Sequence, residues 1–480
     1  MYSVINRQVN GEPTTCTYDK LGRILTLTHK SQTTAYTWDA ASRLTQKTLP
    51  NNIKQQMVYN DAKLVPLRDN AANNTVLEQF DYAYDARGRR ISKTTLGAYP
   101  IARDTPIQAT YNVAKRLTSL TLVGAGAPAT VGGQPTNETY ALTYDDNGNL
   151  TEKRGQGAIA SNITTFSWDK QNQLIGMTQA SANAATNITA SFSYDQFGRR
   201  TNKTINGEAV NYVYDGDQAV GESSSTASTS QLTGMGIDEH IARYTGQDQL
   251  VYLTDALGSI IAQTKADGSF QNKYGYSPYG QVAKDADDKG NPHQFTGREN
   301  DNTGLMFYRA RYYMPSCGRF ISEDPIGTDD GLNVYAYVGG DPVNARDPTG
   351  NCGWTDAIVG FGDAFGAGLI RHLLGISDGD VDKNSGWYNG GMIGGTVWGA
   401  VPFALTGGAA VGATREGHLL NHNRYFRIGP GRIGKEMVPR VSSPYLSGRN
   451  GHYELATRLR PLPPLGGLLP KGEGDGPDCD

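Results

Sequence analysis

Aromatic and polar residues alternate in short runs down the first half of the chain, and each run ends at an acidic residue. Tyr36 and Trp38, Phe80, Tyr82 and Tyr84, Phe166 and Trp168, Phe192 and Tyr194, and Tyr212 and Tyr214 stand two apart. That spacing puts each set on one face of a strand. The closing aromatic is followed by Asp, two variable residues, a glycine or small polar residue, Arg or Asn, and usually an aliphatic. Examples are Tyr18-Asp19-Lys20-Leu21-Gly22-Arg23-Ile24 and Trp38-Asp39-Ala40-Ala41-Ser42-Arg43-Leu44. Further copies start at Tyr84, Tyr144, Trp168 and Tyr194, with weaker ones at Tyr59, Tyr111 and Tyr214, so starts fall 20 (Tyr18 to Trp38) to 33 (Tyr111 to Tyr144) residues apart. A period in that range signals stacked supersecondary units.

Each unit predicts a hairpin. The Asp accepts N–H bonds from the turn, the glycine tolerates the positive φ that closes it, and alternation resumes, as in Ile24-Leu25-Thr26-Leu27-Thr28. One hairpin cannot bury its aromatic row, so successive hairpins are predicted to pair edge to edge into one continuous curling sheet. The irregular spacing weighs against an up-and-down barrel or a propeller. The fold class expected is mainly β, strand-rich from about Thr17 to Tyr337, with helix concentrated after Asn351.

Composition sharpens this only a little. Fifty-nine glycines in 480 residues, with 19% charged, suit a turn-rich β protein. A net charge of −3 gives the repeat region no reason to bind nucleic acid or an anionic membrane. Cys16, Cys317, Cys352 and Cys479 are too few and too scattered for a disulfide framework or a zinc set, so neither metal nor cofactor is predicted. Met1 to Gly11 carries no basic and apolar leader pattern, so export by the general pathway is not expected. A chain that opens almost directly into repeats is expected to be a fragment or a reduced form of something longer.

The Tyr-Asp units resemble the YD repeats of the RHS family. The stretch from Tyr252 to Gly350 looks like the RHS repeat-associated core, through Tyr274-Gly275-Tyr276-Ser277-Pro278-Tyr279-Gly280, Tyr308-Arg309-Ala310-Arg311-Tyr312-Tyr313, Gly318-Arg319-Phe320-Ile321-Ser322-Glu323-Asp324-Pro325-Ile326-Gly327 and Asp347-Pro348-Thr349-Gly350. The resemblance implies a hollow β-shell (a β-cocoon) wound from YD hairpins, sealed at one end by the core and holding a variable C-terminal toxin. Roughly nine repeats precede the core, so a partial shell with exposed strand edges is expected. The implied division is repeats over 1–250, core over 251–351, a Gly-rich apolar segment over 352–415 and a basic variable tail over 416–480.

Two Asp-Pro-x-Gly elements, Asp324 to Gly327 and Asp347 to Gly350, suit tight turns on their own chemistry. The resemblance implies more, because related cores cut their own chain just after the second element in an aspartyl-protease-like way. Carried over, Asp324 and Asp347 are the catalytic acids, their pKa values split by proximity so that one activates water and the other donates a proton. Arg319 is either a carboxylate-orienting fork or an ordinary surface residue. The scissile bond is Asn351 to Cys352. The sequence departs from the family in Asn351, where an aliphatic is usual, and in Met314, where an Asp commonly precedes Pro315.

After Gly350 the spaced aromatics vanish. No charged residue lies between Lys383 and Arg415, and Trp387 to Ala413 is long enough to cross a bilayer. The alternative is a Gly-rich linker packed inside the shell. Beyond it a basic segment includes His418 and His422, four apart, but Leu419 stands where a His-Glu-x-x-His zinc motif needs Glu. This tail suits membrane insertion or a nuclease-like enzyme. The function expected is a polymorphic toxin used between bacteria, delivered by a specialised system from the bacterial cytoplasm. Its implied partners are a cognate immunity protein, a secretion-system or N-terminal delivery component, the target-cell membrane and, for the tail only, nucleic acid. A structural or adhesive cell-surface protein is the rival, and the compositional break after the core favours the toxin layout.

Overall fold

The Tyr-Asp units fold as the hairpins their sequence predicts, and the first shows why. Asp19 Oδ1 accepts the N–H groups of Leu21 at 2.8 Å and Arg23 at 2.9 Å, while Oδ2 accepts Arg23 Nε at 2.6 Å. Gly22 takes a φ of +79°, and the strand register shifts between Thr17 and Tyr18, as a bulged turn requires. The same Asp-to-Arg closure recurs at Asp39, Asp85 and Asp195 with Arg43, Arg89 and Arg199.

The structure, a computed structural model, describes residues 2–9, 12–60, 63–126, 136–328 and 331–351. Among them, helix is confined to four three-residue 3-10 turns, Gly157–Ile159, Ala184–Thr186, Phe295–Gly297 and Val338–Gly340. The expected C-terminal helix lies outside the described residues. Strands pair antiparallel with their neighbours in sequence, in a nine-stranded sheet from Tyr2–Val9 to Arg90–Leu96, a sixteen-stranded sheet from Ile107–Tyr111 to Val282–Lys284, and four short strands from Glu299–Asn300 to Arg319–Phe320. The second sheet runs straight through residue 250, so the expected start of the core does not coincide with a sheet boundary.

The continuous sheet predicted from the repeats is interrupted at residues 97–106. Pro100 and Pro106 lack the N–H that a ladder needs. The segment instead runs against the end of strand Phe270–Tyr276. Ser277 Oγ donates to Asp104 there, and a Cβ on Gly275 would collide with the Pro100 carbonyl. The break leaves Arg90–Leu96 and Ile107–Tyr111 as edge strands, with Ile91, Leu96, Ile107 and Tyr111 exposed.

Burial joins these parts. Leu27, Tyr36, Leu44, Ile53 and Phe80 of the first sheet share a core with Leu232, Val251, Leu253 and Ala262 of the second. Leu305, Phe307, Tyr312 and Ile321 pack on Leu120, Leu150, Phe166 and Phe192. Each of the leucine, isoleucine, valine and phenylalanine side chains among them contributes about 1.5–3 kcal/mol on burial. A cation is enclosed here as well. Arg200, fully buried, meets Glu299 and Asp301 at 2.5 Å each and lies 4.2 Å from the Phe307 ring centre.

A second regularity links repeat to repeat. The motif aromatic donates from its polar tip to the carbonyl just past the preceding turn. Trp38 Nε1 reaches Ile24 O at 2.7 Å, Trp168 Nε1 reaches Leu150 O at 2.7 Å, and Tyr194 OH reaches Leu174 O at 2.7 Å. Tyr214 and Tyr276 repeat the contact on Arg200 and Ile260. Phenylalanine has the ring but no donor, which is why this position takes Tyr or Trp.

Candidate functional site

The two Asp-Pro-x-Gly elements converge on one guanidinium. Strands Met306–Tyr308 and Arg311–Met314 form a tight hairpin, and its buried Arg311 projects between the acids. Arg311 Nη2 stands 2.7 Å from Asp324 Oδ2 and 3.5 Å from Asp347 Oδ2. Nη1 donates to Val334 O at 3.0 Å, and the guanidinium carbon sits 3.7 Å from the Phe320 ring centre.

Asp347 organises the residues before the predicted scissile bond. Its Oδ1 accepts from Thr349 N at 3.1 Å, Thr349 Oγ1 at 2.7 Å, Gly350 N at 2.8 Å and Asn351 N at 3.3 Å. The carbonyls of the same segment are held by three consecutive residues of the hairpin. Arg309 Nη1 donates to Pro348 O, Ala310 N to Thr349 O at 2.9 Å, and Arg311 Nε to Gly350 O. Gly350 has a φ of +73°, and a Cβ there would strike the Tyr308 carbonyl and come within 2.9 Å of Arg311 N. The segment 348–351 is therefore gripped along both edges of its backbone.

Asp324 closes its own turn, accepting Ile326 N at 3.0 Å through Oδ1. Burial pushes its carboxyl up to about 6, against the opposing pull of Arg311 and the Ile326 N–H, and nearby Asp347 adds to the rise. A carboxyl in that range can donate a proton in mildly acidic conditions. Arg311 between the two acids offsets their mutual repulsion, so this is an arginine-bridged pair and not two carboxyls in direct contact.

Arg319 lies elsewhere. It donates to Lys115 O at 3.1 Å and Asn333 Oδ1 at 2.7 Å and covers the Tyr111 ring at 4.8 Å. Two readings are open for Arg319 in the sequence, a carboxylate-orienting fork or an ordinary surface residue; the guanidinium that meets both acids is that of Arg311, and the run Arg309-Ala310-Arg311 does not mark which arginine turns inward. Met314 is buried in the core, and Asn351 follows the gripped loop. Cys352, Trp387 to Ala413, His418 and His422 lie outside the described residues. Among the described residues no His, Cys, Asp and Glu cluster is arranged to hold a metal ion, and no helix is long and apolar enough to cross a membrane.

Comparison with known proteins matches residues 18–53 to the RHS Repeat family model. The chain is similar to the tRNA3(Ser)-specific nuclease WapA of Bacillus spizizenii, 29% identical over 306 residues, covering 62% of this chain and 12% of that protein. It is also similar to toxin subunit YenC1 of Yersinia entomophaga, 39% identical over 111 residues, covering 22% of this chain and 11% of that one. The chain thus spans about an eighth or less of the length of these relatives. Its fold is similar to a chain in the crystal structure of TcdB2-TccC3-Cdc42, with a TM-score of 0.51 at 21% identity over 71% of this chain and 20% of that one. The repeated Tyr-Asp hairpins and these matches make the chain similar to RHS-repeat proteins.

Proposed function

We propose that the chain is part of an RHS-type polymorphic toxin: its β-strand assembly carries a C-terminal effector beginning at Cys352 and frees it by self-cleavage after Asn351. The observation that carries this is the arrangement around residues 348–351. Both Asp-Pro-x-Gly acids meet Arg311, and every backbone N–H from Thr349 to Asn351 points to Asp347. Turn formation alone would not require two such elements to share a buried arginine.

In this reading Asp347 and the hairpin hold the peptide, and Arg311 keeps charge in the pocket affordable. Asp324 supplies the proton that the departing Cys352 amide nitrogen takes up, while Asp347 accepts the proton of the water whose hydroxyl adds to the Asn351 carbonyl. The relatives' names, a tRNA nuclease and a toxin subunit, support a toxin over an adhesive surface protein. Delivery from a bacterial cell by a specialised system and neutralisation by a cognate immunity protein follow as parts of the same proposal. The tail acts either through the apolar stretch Trp387 to Ala413 on a membrane or as an enzyme through its basic end.

The test is expression of residues 352–480 alone in bacteria, in cytoplasmic and exported forms, while recording membrane potential and nucleic-acid integrity. Growth arrest with depolarisation identifies a membrane-active tail, and arrest with degraded nucleic acid identifies a nuclease. Normal growth in both forms removes the toxin reading.

A further inference from the structure

The grip on the scissile segment is anchored outside the core. Arg309, at the hairpin tip, sits at a φ of +57°, unusual for a residue with a side chain. All five of its guanidinium N–H groups have acceptors. Nε donates to Asp217 O at 3.1 Å, Nη2 to Gln218 Oε1 at 3.3 Å and Asp238 Oδ1 at 2.7 Å, and Nη1 to Asp238 Oδ2 at 3.2 Å and to Pro348 O. Four of these five contacts go to the second sheet and its turns, and the fifth goes to the segment before the scissile bond. A guanidinium with its planar fork satisfied on all sides has one orientation.

Asp238 is the centre of that anchor. It is buried in the turn before strand His240–Thr245 and accepts both Arg309 and Arg298, the latter at 2.8 Å. Arg298 in turn donates to Phe307 O at 2.9 Å, on the strand leading into the hairpin. Although burial alone raises its pKa, the two arginines hold the Asp238 carboxyl well below the usual carboxylate range, so it stays charged wherever Asp324 titrates.

We propose that Asp238, in the repeat-built sheet, is a positioning residue for scission after Asn351: it fixes Arg309, and Arg309 fixes the Pro348 carbonyl. This deepens the self-cleavage reading and rests on it. The consequence is an order of events. The second sheet must form before the scissile segment is held, so the effector is not cut loose from an unfolded carrier.

The test follows the full chain through a cell-free pulse and chase, reading the first-order appearance of the fragment that ends at Asn351. Asp238→Asn keeps the shape but not the charge, and should slow scission roughly 10- to 100-fold through misplacement without moving the pH inflection set by Asp324. Because Asp238 acts through Arg309, the Asp238→Asn/Arg309→Gln double variant should cut at nearly the rate of Arg309→Gln alone. Wild-type speed in Asp238→Asn, or a double variant slowed by the product of the two single effects, overturns the proposal. An uncut wild-type chain would instead remove the self-cleavage reading, and the anchor is then read by amide exchange at Gly350 and Asn351. Exchange that is at least tenfold faster in Asp238→Asn supports the anchor, and unchanged exchange overturns it.

Discussion

The two Asp-Pro-x-Gly glycines have the same motif and nearly the same backbone but different surroundings, which makes Gly350→Ala and Gly327→Ala a matched pair. Their φ angles are +73° and +72°, so alanine is strained by the left-handed conformation at either site, by roughly 1–2 kcal/mol. At Gly327 nothing lies within 4 Å of an added Cβ, and that strain is the whole effect. At Gly350 the Cβ meets two backbone atoms, Tyr308 O and Arg311 N, neither of which can swing aside as a side-chain end would. Overpacking adds about 1–3 kcal/mol, for a total of roughly 2–5 kcal/mol on local opening. Hydrogen exchange on peptic peptides spanning residues 306–351 measures that opening directly, at about 1.4 kcal/mol per tenfold change. Gly350→Ala should raise exchange there roughly 5- to 100-fold more than Gly327→Ala raises it around its own turn. Equal effects would refute the claim that the hairpin backbone and the 347–351 loop are locked together.

Other outcomes follow from the same geometry. Asp324, with a folded-state pKa of about 6 against the ordinary 3.8, keeps its proton longer in the folded chain than in the unfolded one. Its contribution to stability therefore declines as pH rises from about 4 to about 6, and Asp324→Asn should flatten that part of a stability-versus-pH curve. A curve identical to wild type contradicts the burial argument. Arg200→Met leaves Glu299 and Asp301 buried with Lys203, 2.8 Å from Asp301, and Arg298, which also acts on Glu299, to offset them, and should destabilise by about 3–5 kcal/mol in thermal melting. Tyr194→Phe removes the donor to Leu174 O and should cost about 0.5–1.5 kcal/mol, whereas a change no larger than noise would mean the ladder of aromatic donors is incidental.

The hairpins were legible because their chemistry is local. Asp19 and Arg23 are four apart and speak to each other, so the turn is written in one stretch of chain. The aromatic ladder was not legible, since Trp38 and Tyr194 donate to backbone carbonyls and a carbonyl leaves no mark in the sequence. Nor was the break at residues 97–106. Its prolines announce a loop, but only the approach of Pro100 to Gly275 shows what replaces the missing pairing. At the site, the motif pointed to Asp324 and Asp347, and both stand beside Arg311. It offered Arg319 as either a carboxylate-orienting fork or a surface residue and did not mark Arg311, because which arginine of a short hairpin faces inward is decided by strand parity. Asp238 was invisible for the same reason of distance, as it meets Arg309 across 71 residues of chain.

The central claim, that residues 348–351 are presented for scission, is tested most directly by the intact mass of the purified full chain. Wild type should give two species whose masses correspond to a break between Asn351 and Cys352. Asp324→Asn and Asp347→Asn should each give the unbroken chain. A single intact species from the wild type under native conditions would contradict the account and leave the two Asp-Pro-x-Gly elements as turns, and a break at Asn351 that persists in both variants would show that the acids gathered on Arg311 are not the ones that cut.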